Sequence, residues 1–81
     1  MEVFIVLIED RHCDIGCEVF STEESAILYA KGIAKEYARH IDDIKEKLTP
    51  AMKLAGWLYY AQFSEEDCVR VERKEIDAKR N

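Results

Sequence analysis

Residues 9–18, "EDRHCDIGCE", concentrate the side chains of this chain that could do chemistry: His12, Cys13 and Cys17 among four carboxylates and an arginine. Three kinds of site use such residues. A structural zinc centre wants four ligands, usually two pairs with C-x2-C-like spacing. Here the cysteines stand at C-x3-C, and His40 and Cys68, the distant candidates, are each unpaired with another soft ligand. A redox pair wants C-x-x-C, with a helix N-terminus to lower the thiol pKa. A Cys–His nucleophile needs its base within hydrogen-bond reach, whereas neighbouring strand residues such as His12 and Cys13 point to opposite faces. The rival to all three is a charged hairpin tip in which Cys17, alternating with Ile15 and Val19, is a small core residue.

Other constellations are weaker. Glu9–Asp10 and Asp42–Asp43 are adjacent rather than convergent, the pattern of solvated carboxylates. Lys31, Lys35 and Arg39 recur every four residues and make a basic stripe on a helix flank. Trp57, Tyr59, Tyr60 and Phe63 could stack bases, but no RNP-like basic–aromatic signature accompanies them. There is no phosphate-binding glycine loop and no nucleophile elbow. No catalytic residue, metal or cofactor is therefore expected.

The elements that must position these residues are legible from periodicity. "VFIVLIED" is a short apolar run with both parities apolar, the mark of a central strand. "IGCEVFS" alternates and forms a hairpin with it. "STEE" offers Ser21 as N-cap with Glu24 three residues later. The helix that follows has apolar residues at gaps of three and four from Ala26 to Leu48. Thr49 and Pro50 open a second, short helix, Pro50–Ala55, closed by Gly56. "WLYYAQFS" is a strand with Trp57, Tyr59, Ala61 and Phe63 on one face and Leu58, Tyr60 and Gln62 on the other. "SEED" is a turn. "CVRVERKEI" is a last strand, whose charges predict an edge position, and residues 77–81 are a frayed tail. The expected fold is α+β: a ββαββ unit, one domain over residues 1–81, with a four-stranded antiparallel sheet and one long helix on one face.

Composition narrows the function. With 81 residues, 36% charged and a net charge of −5, the chain is globular and a poor generic partner for phosphate backbones. The longest apolar run, Val3–Ile8, is far short of the roughly 20 residues that cross a bilayer. No basic leader precedes it, and an odd number of cysteines without one suggests a reducing, cytoplasmic setting. One helix covers one sheet face only. Either parity of the first strand leaves large apolar residues on the other face, more than a monomer usually exposes. Phe4, Val6, Ile8, Phe20, Leu58 and Tyr60 are expected on an open face that binds another protein, with Asp10 and Asp14 as acidic contacts at the hairpin tip. The partner would have a basic surface, or be a second copy forming a homodimer; direct nucleic-acid or membrane binding is not expected.

"VFIVLIEDRH", "CEVFSTEESAILYAK", "WLYYAQFS" and "VRVERKEID" together resemble a broad group of small phage- and bacteria-encoded ββαββ proteins. The resemblance implies a non-enzymatic role of the anti-CRISPR or anti-defence type, in which a small acidic protein occludes a surface of a host defence complex. Its motifs are structural, so it assigns no functional residues. The alternative is a small metal- or ligand-binding protein built on His12, Cys13 and Cys17.

Overall fold

The computed structural model describes residues 1–9, 15–64 and 67–76. Strands β1 (Glu2–Glu9) and β2 (Ile15–Phe20) are followed by helix α1 (Glu23–Tyr37), a 3-10 turn (Ile41–Asp43) and a two-residue strand, β3 (Lys45–Glu46). Helix α2 (Pro50–Leu54) and strands β4 (Trp57–Gln62) and β5 (Cys68–Glu75) complete the order. The sheet has five strands in the order β2-β1-β5-β4-β3, every neighbouring pair antiparallel. The α+β class and the helix-on-sheet plan agree with the sequence reading; the fifth strand is an addition to it.

β1 sits between β2 and β5, as its two apolar faces require. β5 also lies inside the sheet, paired with β1 along its whole length and with β4 on its other side. Its charges had suggested an edge. Arg70, Glu72 and Lys74 mark instead the face turned away from α1, because Val69 and Val71, which share the other parity, are wholly buried. The true edges are β2 and β3.

α1 starts one residue later than the sequence suggests. Thr22, not Ser21, is the N-cap and accepts a hydrogen bond from the Ser25 backbone N–H at 3.2 Å, while Glu23 and Glu24 complement the helix dipole. The helix also ends at Tyr37 rather than running to Leu48. Fifteen residues make about 22 Å of helix, and eight make about 26 Å of strand. Continued to Leu48 the helix would be about 39 Å long, well beyond the strands it covers. The chain turns instead, Ile44 folds back onto the core, and Ile41 is left exposed. α2 follows the expected plan: Thr49 accepts from the Met52 N–H at 3.2 Å, Pro50 is the first helical residue, and Gly56 takes φ +92° just beyond the helix.

The core lies between α1 and one sheet face. Ala26, Ala30 and Ala34 bring the helix axis close to the strands, with Ile33 beside them, over Phe4, Val6, Tyr59, Ala61, Phe63, Val69 and Val71. Three small residues at successive turns leave no room for a larger side chain between helix and sheet.

Candidate protein-interaction face

Residues directly opposite in a ladder share a face, so register decides which side chains line the uncovered side of the sheet. Phe4, Val6 and Ile8 pair with Phe20, Glu18 and Gly16 on β2, and with Arg73, Val71 and Val69 on β5. This is the helix side. Phe4 and Val6 are buried, Ile8 and Phe20 pack against the core, and the Phe20 ring lies 5.2 Å from that of Tyr29 on α1. The sequence reading had put Phe4, Val6, Ile8 and Phe20 on the open face; they are on the covered one. The apolar content of β1 is equal on both parities, so only its partner's register separates them.

The open face carries the other parity: Val3, Ile5 and Leu7 of β1, with Val19 and Cys17 of β2 opposite Ile5 and Leu7. Cys17 is exposed and Val19 is 59% exposed, so the pairing of Cys17 and Val19 as core residues is overturned. The hairpin turns Phe20, the bulkier side chain, into the core instead.

A bulge changes the faces of β4. Trp57 pairs with Glu72 and Tyr59 with the adjacent Val71, so Leu58 is an extra residue in the strand. The insertion inverts the parity read from the sequence. Trp57 moves to the open face, where it stacks on Tyr60 with ring centroids 5.7 Å apart. Leu58 moves to the helix side and packs against the core. Of the residues expected on the open face, Tyr60 alone is there among those described. Asp10 and Asp14, with His12 and Cys13, lie outside the described residues, as do Glu65 and Glu66.

Arg70 organises the second half of this face. Its Nε donates to Glu72 Oε2 at 2.6 Å and its Nη1 to Glu9 Oε1 at 3.1 Å, and its guanidinium lies 4.6 Å from the centre of the Trp57 ring. Burial pulls the Arg70 pKa down, but the hydrogen bond and charge of Glu72, then the charge of Glu9, outweigh it, and the net shift is upward. Glu9 also accepts from the Cys68 thiol at 3.5 Å, and Cys68 is hydrogen-bonded to Tyr60. Burial, reinforced by Glu9, pushes the Cys68 thiol up; burial and Cys68 push the Tyr60 hydroxyl up. Both groups are held in their neutral forms. A thiol in this state is a hydrogen-bond donor rather than a nucleophile. The arrangement fixes the shape of a surface: an aromatic shelf, Trp57 and Tyr60, locked by a cation that two carboxylates hold in place.

The face thus has an aliphatic half on β1 and β2 and an aromatic, ion-paired half on β5 and β4. Its described charges come close to balance, with Arg70, Lys74 and Lys45 against Glu9 and Glu72, in a chain of net charge −5. Among the described residues no group of three or more His, Cys, Asp or Glu side chains is placed to hold a metal ion. Among the described residues no helix is long and apolar enough to cross a membrane. No family model matches the chain, and no curated protein and no solved structure is significantly similar to it.

Proposed function

We propose that this chain is a protein-binding module that docks through its open sheet face and has no catalytic role of its own. The observation that carries the reading is the apolar stripe of Val3, Ile5, Leu7 and Val19 on the side of the sheet opposite α1, beside a pre-ordered Trp57–Tyr60–Arg70 shelf. Aromatic and arginine side chains held rigidly at the centre of a surface contribute most of the binding energy in protein interfaces. Four full strands at about 4.8 Å spacing and about 20 Å length present roughly 400 Å². A stable complex takes about 800 Å² from each partner, so the sheet face alone supports a weak complex. The chain's net charge of −5 favours a partner with a basic surface.

On the resemblance of its sequence to small mobile-element proteins, the proposed partner is a component of a host defence complex, blocked by surface occlusion. The test is cross-linking capture from host cells with the wild type, with Val19→Glu and Trp57→Ala, and with Leu28→Glu on the exposed face of α1 as control. The expected result is one basic protein captured by the wild type and the control and lost from both face variants. Equal capture by all four proteins would sink the reading. Sedimentation of the purified chain tests a second copy as the occupant.

A further inference from the structure

The basic stripe on α1 is not absorbed by the open face, because it lies on the other side of the sheet. Lys31 and Lys35 flank the buried Ala34 and border a cleft of about 200 Å³ that Ile41, Ile44 and Tyr59 also line. Lys31 and Lys47 border an adjoining cleft of about 420 Å³ floored by Ile27, Leu48 and Leu58. The two clefts meet at Lys31, Glu46 and Tyr59. They make one groove between α1 and the short β3, with an apolar floor and a rim of lysines. β3, which lends Glu46 to both clefts, is only two residues long.

The rim carries an excess of positive charge, Lys31, Lys35 and Lys47 against Glu46. The described arginines inside the sheet, Arg70 and Arg73, each have a carboxylate partner. Lys31, Lys35 and Lys47 have no carboxylate within ion-pair distance among the described residues, and Lys31 makes only a contact with the Tyr59 ring at 6.0 Å. Glu46, the acidic group in the groove, is engaged by the Tyr59 hydroxyl at 2.5 Å. Three lysines gathered around an apolar trough, in a chain of net charge −5, are complementary to a ligand that is acidic over a short length and apolar on one side. A nucleic acid fits less well, since its charge continues past the groove onto an acidic molecule and Tyr59 is buried rather than free to stack.

We infer that the groove between α1 and β3 binds a short acidic, amphipathic peptide segment of another protein, its carboxylates on Lys31, Lys35 and Lys47 and its apolar side chains on Ile27, Ile44 and Leu58. The groove meets the open face at Tyr60, but Lys31→Glu and Lys35→Glu leave the open-face side chains in place, so either site can fail without the other. The test is fluorescence anisotropy at low salt with a labelled peptide rich in Asp and Glu with interspersed Leu and Phe. A Lys/Leu peptide of the same length and a single-stranded oligonucleotide serve as the other arms. Saturable binding of the acidic peptide is expected, weakened at least about tenfold by Lys31→Glu combined with Lys35→Glu, and by raised salt. Amide shifts should map to residues 27–35, 44–48 and 58–60. A variant that loses its fold is replaced by Lys47→Glu, at an exposed strand end, for which several-fold weakening is expected. Absence of saturable binding, equal binding of the oligonucleotide, binding unchanged in the variants, or shifts confined to the open face would each overturn the inference.

Discussion

At the residue scale, the ion-paired cluster and the buried tyrosine behave differently from the surface charges. Arg70 and Glu72 are about four-fifths buried and joined by a 2.6 Å hydrogen bond. Arg70→Gln leaves two carboxylates without their cation and should cost about 1–3 kcal/mol in urea unfolding. Glu9→Gln should cost less, since Glu9 is nearly half exposed and solvent screens its pair. Arg73→Ala, whose pair with Glu2 is 3.6 Å long and exposed on both sides, should leave the urea midpoint unchanged.

Tyr59 has a pH signature of opposite sign to that of most carboxylates. Burial, then its hydrogen bond to Glu46, raises its pKa well above the ordinary tyrosine range. Above about pH 10 the unfolded chain gives up this proton while the folded chain keeps it. The folded state then binds more protons, so stability present at neutral pH falls as pH rises. Cys68 and Tyr60, both shifted upward, act in the same direction. Urea midpoints should therefore decline from about pH 9 upward, and Tyr59→Phe should make the decline shallower.

At the element scale, the two glycines beyond the hairpin make opposite predictions. Gly32 lies inside α1 with open space where a Cβ would go, so Gly32→Ala should stabilise by about 0.5–1 kcal/mol through helix propensity. Gly56 takes φ +92° after α2 with no steric neighbour closer than 4.0 Å. Gly56→Ala should destabilise by about 1 kcal/mol from backbone strain alone. Thermal melts of the two variants should shift in opposite directions. Thr49→Ala, which removes an N-cap, should cost about 1 kcal/mol by the same measurement.

At the scale of the whole molecule, strand order sets cooperativity. β5 joins the N-terminal hairpin to β4, and the chain's first amino group closes on Glu75 at 2.8 Å. A chain truncated after Phe63 should lose its cooperative melting transition altogether, whereas an edge strand would be shed with part of the fold retained. Circular dichroism distinguishes the two outcomes.

Local grammar settled much of this protein. The central position of β1, the hairpin, the start of α1 to within a residue, and Thr49, Pro50 and Gly56 around α2 all follow from short-range physics: strand patterning, orphan helix N–H groups and backbone dihedral limits. Three features were left to tertiary structure. The end of α1 is set by the length of sheet available beneath it, while the apolar periodicity continues to Leu48 regardless. The faces of β4 turn on one inserted residue, Leu58, and a bulge has no signature in an alternating run. The side of β1 that meets the helix depends on which register lets Phe20, Val69 and Val71 share the core. That choice moved Phe4, Val6 and Ile8 inward and put Val3, Ile5 and Leu7 on the open face, while the bulge put Trp57 there. An open apolar face was legible in the sequence because one helix cannot cover two sides of a sheet; its residues were not, because parity is relative until a partner strand fixes it.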